Sequence, residues 1–93
     1  MDFEYDPHKS RANQHKHGLS LEEAIELWRV NAVEVPAYVS DEPRFMRIGR
    51  IGEKFYSCIF TVRTNKIRLI SARRSRQNEE ALYHEKNKEI GPS

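Results

Sequence analysis

Cysteine occurs once in 93 residues, as Cys58, so no internal disulfide can staple the fold and no cysteine cluster can hold zinc. Packing alone must stabilise it. Long apolar runs are missing too: no stretch approaches the roughly 18 consecutive apolar residues of a membrane helix. The start, Met1-Asp2-Phe3-Glu4, has neither the basic residues nor the apolar segment of an export signal. A cytoplasmic location is expected. Internal repeats, low-complexity stretches and separating linkers are absent as well. With 38% hydrophobic and 32% charged residues and a mean hydropathy of -0.82, the chain reads as one domain spanning residues 1–93, with an ordered core over about 2–88. For a core this small, about 5 to 10 kcal/mol of net stability is expected at best.

What the chain has is charge, unevenly placed. Residues 1–43 carry four Lys/Arg against nine Asp/Glu, whereas residues 44–93 carry twelve against five. Between residues 44 and 76 stand ten basic side chains (Arg44, Arg47, Arg50, Lys54, Arg63, Lys66, Arg68, Arg73, Arg74 and Arg76) and a single acid, Glu53. Like charges weaken a fold unless something binds them, so the asymmetry points to a polyanion or an acidic protein partner. A merely solvated surface is the plain alternative.

Local signals order the elements. Asp6 caps a helix, Pro7 fits its first position and Gly18 supplies the left-handed residue past its end, which predicts a helix over Pro7–His17. Ser20-Leu21-Glu22-Glu23 is a capping box opening a second helix that buries Leu21, Ala24, Ile25 and Trp28. From Ala32 the period becomes two: Val33, Val35, Ala37 and Val39 alternate with Glu34, Pro36 and Tyr38, and Pro36 makes this an edge strand or an extended connection. Strands follow over Phe45–Ile51, Lys54–Val62 and Ile67–Ala72, joined at Gly52-Glu53 and near Asn65. Ser75 is positioned to cap a last helix toward Lys88. With a short strand at Asp2–Tyr5, the expected architecture is α+β: two N-terminal helices, an antiparallel meander of three to four strands and a C-terminal helix, all helices on one sheet face. The tail Gly91-Pro92-Ser93 is expected to fray.

Three groups of residues could carry chemistry. His15-Lys16-His17 does not suit a metal, because residues two apart on a helix point to different sides, whereas chelating pairs stand three or four apart; no metal and no cofactor are expected. His17 is instead a candidate for proton transfer, since imidazole exchanges protons near neutral pH, or a surface residue at the helix dipole. Arg73 and Arg74 place two planar donor forks before a helix N-terminus, as phosphate binding requires. Alternatively they pair with Glu79 or Glu80. Tyr83 either stacks on a base or joins the core beside Ala81 and Leu82. Arg44, Arg63 and Arg68 stand on neighbouring sheet positions.

Taken together, Phe3-Glu4-Tyr5-Asp6-Pro7, Lys9, Asn13, Lys16-His17-Gly18, Glu22-Glu23-Ala24, Arg44-Phe45, Gly49, Thr61, Arg63, Arg68 through Arg74, Glu79, Glu80 and Tyr83 resemble the BrnT family of type II toxins over roughly residues 2–85. The chain departs from that pattern at Tyr5, where tryptophan is common, at Leu21, where an aromatic is common, and at Pro43 before Arg44. The resemblance implies a RelE-like fold and metal-independent RNA cleavage that arrests translation. It also implies neutralisation by a BrnA-like antitoxin of ribbon-helix-helix type, through which the complex would reach operator DNA.

In that reading His17 transfers protons and Arg73 stabilises charge on the phosphate, while Lys16, Arg44, Arg63, Arg74 and Tyr83 hold RNA. Arg73→Ala is then expected to abolish activity and leave the fold intact. Two other readings use the same basic sheet: a nucleic-acid-binding module without catalysis, or a dock for an acidic protein segment.

Overall fold

A computed structural model describes residues 2–37 and 41–90. Five strands form one sheet in the order β1-β5-β4-β3-β2: β1 is Asp2–Glu4, β2 Ala32–Pro36, β3 Phe45–Ile51, β4 Lys54–Arg63 and β5 Lys66–Arg74. The sheet is mixed. β2 to β5 pair antiparallel, but β1 runs parallel to β5, with Phe3 opposite Ile67. The expected meander of three to four strands is thus one part of a larger sheet, because a three-residue N-terminal strand finds its partner more than sixty residues away. Pro36 does end an edge strand, β2, where a missing N–H costs no ladder bond. Tyr38 and Val39, at the end of the alternating run, lie outside the described residues, as does Gly91-Pro92-Ser93.

Capping residues set the first two helices. Helix α1 spans Pro7–His17; Asp6 accepts from the His8 and Lys9 N–H groups, and Gly18 at φ 78° donates to the Gln14 carbonyl. Ser20 and Glu23 complete the capping box of α2, Leu21–Ala24, which tightens into a 3-10 turn over Ile25–Trp28 instead of continuing as one α-helix. That turn and α2 bury Leu21, Ala24 and Leu27 against Cys58, Phe60, Ile67, Leu69 and Ala72. Helix α1 has no large apolar side chain with which to join them. Polar clasps hold it instead: buried Ser10 accepts from the Leu21 and Glu22 N–H groups, and buried Asn13 reaches β5.

The third helix, α3 (Gln77–Ile90), lies on the opposite sheet face. Side chains paired across antiparallel strands share a face, so Arg47, Cys58 and Ala72 face α1 and α2, whereas Ile48, Ser57 and Arg73 face away. Glu79 of α3 bonds both Ser57 and Arg73, and the Tyr83 ring packs on Phe55 with centroids 4.9 Å apart. The helices therefore cover both faces, and the expectation of one helical layer is corrected. Ser75 does not cap α3; its hydroxyl turns to Ser57 at 2.8 Å, and Glu79 reaches back to the Arg76 N–H.

Candidate active site

β1 covers only Lys66–Arg68 of the outer edge of β5. Beyond that point the backbone of β5 needs another partner, which α1 supplies. Asn13 Oδ1 accepts from the Ala72 N–H at 3.2 Å, and its Nδ2 donates to the carbonyls of Ala72 (2.7 Å) and Leu19 (2.6 Å). One buried amide thus completes a strand edge and fixes the last turn of α1, with Lys16 and His17, beside β5.

The same strand carries an irregularity. Phe60 pairs with Leu69 and Ile59 with Ser71, leaving Ile70 as an extra residue. Such a bulge resets the alternation: Ile67 and Leu69 face the core before it and Ala72 after it, so Arg68, Ser71 and Arg73 all point to the other face.

Two hollows meet along this bulged edge. One, of about 190 Å³, is lined by Asp6, Lys9, Glu42, Arg44, Arg63 and Arg68 with Leu69 and Ile70. The other, of about 280 Å³, is lined by Lys9, Ala12, Asn13, Lys16, His17, Ile70 and Ser71. Lys9 and Ile70 belong to both, so the hollows form one groove. Its cations arrive from four places: α1, the approach to β3, the end of β4 and the middle of β5. Carboxylates set some of them. Arg68 stands 3.5 Å from Glu4, and Arg63 makes two bonds to Glu42, at 2.8 and 2.7 Å, holding that carboxyl below the usual range. Before β3 the Pro43 carbonyl accepts from buried Thr61 at 2.6 Å.

The groove gathers Lys16, His17, Arg44 and Arg63 from the expected set, and it leaves Arg73, Arg74 and Tyr83 outside its lining. Arg73 donates to Glu79 in a two-bond fork, both at 2.8 Å, so the alternative of a carboxylate pair describes it. Glu79 is 5% exposed, and the guanidinium beside it lowers its pKa to about 2. Removing Arg73 would strand that buried charge, which corrects the expectation that Arg73→Ala leaves the fold intact. Arg74 sits on the other face over Tyr56, 5.9 Å from the ring centroid. Tyr83 packs against Phe55 and His84, and its hydroxyl accepts from Asn31 at 3.5 Å.

Sequence reasoning missed Lys9, Ser71 and the part played by Arg68. Lys9 stands two turns before His17 on α1, a spacing that sets both along one side of the helix. The bulge that exposes Arg68 and Ser71 together leaves a trace, since the apolar alternation Ile67, Leu69 slips to Ala72. Among the described residues no group of three His, Cys, Asp or Glu side chains is placed to hold a metal ion, and no helix is long and apolar enough to cross a membrane.

No curated protein matches the chain. A family model does: residues 5–79, which include both hollows, match the one described as ribonuclease toxin, BrnT, of type II toxin-antitoxin system. A polar-clasped helix, a bulged strand and a cation-lined groove are therefore features of a chain that belongs to the BrnT family of ribonuclease toxins.

Proposed function

We propose that the groove along β5 cleaves RNA by attack of a ribose 2′-hydroxyl on its own adjacent phosphate. The 2′-oxygen bonds to phosphorus, the bond to the 5′-oxygen breaks, and the products carry a 2′,3′-cyclic phosphate and a 5′-hydroxyl. The proton lost by the 2′-hydroxyl must reach the leaving 5′-oxygen, and His17, which lines the groove, relays it. Lys9, Lys16 and Arg68 stabilise charge on the phosphoryl oxygens, so the reaction proceeds without a metal ion. Arg44 and Arg63 hold the adjoining backbone. Arg73 acts through Glu79, by anchoring α3, and Arg74 and Tyr83 take no direct part. Translation stops as RNA is cut in the cytoplasm, and a BrnA-like antitoxin encoded beside the gene neutralises the chain and carries the complex to operator DNA.

The observation that supports this most is the meeting of five cations and one histidine around a single groove built from separate elements. Purified chain incubated with single-stranded RNA in excess EDTA tests it. His17→Ala is expected to slow cleavage about 10² to 10⁴-fold and Arg68→Ala about 10² to 10³-fold. Arg74→Ala, outside the groove lining, is expected to stay within about threefold. Intact RNA retained by every variant would point to a binding module instead, and wild-type rates in His17→Ala would remove that residue from the chemistry.

A further inference from the structure

The larger-charged of the two hollows already contains an anion. Glu42 enters it from the segment before β3 and meets Arg63 in two parallel bonds, Nε to Oε2 at 2.8 Å and Nη2 to Oε1 at 2.7 Å. A guanidinium grips a phosphate diester with the same planar fork. Arg44 and Arg68 act on the same carboxylate through space. The two residues that follow Glu42 are anchored through their backbone carbonyls: Thr61 bonds that of Pro43 at 2.6 Å, and the Ala37 N–H bonds that of Arg44 at 2.9 Å. The pair sits at the rim, Arg63 being 51% and Glu42 29% exposed, so a ligand can reach both.

We propose that Glu42 is a tethered stand-in for an RNA phosphate, occupying a phosphodiester subsite of Arg63 and Arg44, beside Arg68, until the substrate backbone displaces it. The idea rests on the groove being the RNA site and adds a second subsite, one hollow away from His17. An exposed ion pair is weak, so the carboxylate yields to a polyanion; it sets how tightly RNA binds and leaves the chemical step alone. A nucleotide chain with one phosphate at Arg63 directs a neighbouring linkage along Ile70 toward Ser71 and His17.

The test uses a short single-stranded RNA with 2′-O-methyl riboses, which cannot undergo 2′-attack, and reads binding by fluorescence anisotropy at fixed salt. Glu42→Gln is expected to tighten binding about two- to fivefold and, with cleavable RNA, to lower KM by the same factor at unchanged kcat. Glu53→Gln, in the β3–β4 turn, removes the same charge away from the hollow and is expected to change binding less than 1.5-fold, roughly. In an Arg63→Lys background, which keeps the charge and loses the fork, the gain from Glu42→Gln is expected to vanish.

Equal tightening by Glu42→Gln and Glu53→Gln would overturn the proposal, because the effect would then be net charge. So would an unchanged Kd, or a gain that survives Arg63→Lys. Tighter binding by Glu42→Gln without cleavage by the wild type would leave the gate standing and remove the nuclease reading. Cleavage with no effect of Glu42→Gln would remove only the gate, and failure of every variant to bind the oligonucleotide would remove it as well.

Discussion

Buried charge decides what Arg73 and Glu79 do. Glu79 titrates at about 2 in the folded chain against 4.5 as its ordinary value, chiefly because Arg73 bonds it. Its ionised form therefore favours folding above about pH 4.5, and that contribution disappears as the pH falls toward 2. Glu79→Gln is expected to lower stability at pH 7 by roughly 2 to 3 kcal/mol in urea unfolding, and the gap to the wild type is expected to close by pH 2. A gap that is the same at pH 7 and pH 2 would contradict the ion-pair account. Asn13 makes a parallel case in neutral chemistry. Asn13→Ala leaves buried N–H and C=O groups of β5 and Leu19 unmet, and about 2 to 4 kcal/mol is the expected cost. Cleavage should fall further than stability does, because the clasp that holds α1 also places His17.

At the scale of elements, two backbone positions are exposed to simple tests. The hairpin between β4 and β5 turns at Thr64 and Asn65, both with positive φ (48° and 64°), and a β-branched residue is strained there. Thr64→Asn is expected to raise stability by about 0.5 to 1 kcal/mol, read as a higher melting temperature. Gly49 behaves in the opposite sense: a Cβ there would stand 3.0 Å from Leu27 Cδ2 and 3.1 Å from Ala32 Cβ. Gly49→Ala should cost about 1 to 3 kcal/mol.

Elements with local signals were legible in the sequence: the Asp6-Pro7 start and Gly18 end bound α1 at Pro7–His17, and the β-branched run places β4. The partner of β1 and the face taken by α3 were not, because three residues of strand and a polar helix specify no long-range neighbour. Ser75 illustrates the limit. A serine before a helix suits a cap, but Ser57 across the sheet competes for its hydroxyl and wins.

For the whole molecule, the sequence told how much positive charge there is but not how it is divided. Ten basic residues between 44 and 76 read as one patch along the chain. In the fold, register sends Arg47 to Trp28 and Glu34, Arg74 to Tyr56 and Arg73 to Glu79, while Arg44, Arg63 and Arg68 remain together. Pairing across strands and one bulge made that division, and neither has a clear signature in composition. Cys58 reports on the fold as a unit: it is fully buried and its thiol pKa is pushed up by burial.

The central claim is that Lys9, Lys16, His17 and Arg68 converge on one phosphate whose own 2′-hydroxyl is the nucleophile. Replacing the ribose 5′ to the cleaved linkage by 2′-deoxyribose in an otherwise unchanged RNA tests this most directly, with products separated by length and their ends identified. The account predicts no cleavage at the substituted linkage, unaltered cleavage elsewhere, and 2′,3′-cyclic phosphate ends in EDTA. Cutting at the deoxy position, or products ending in 5′-phosphate, would contradict it.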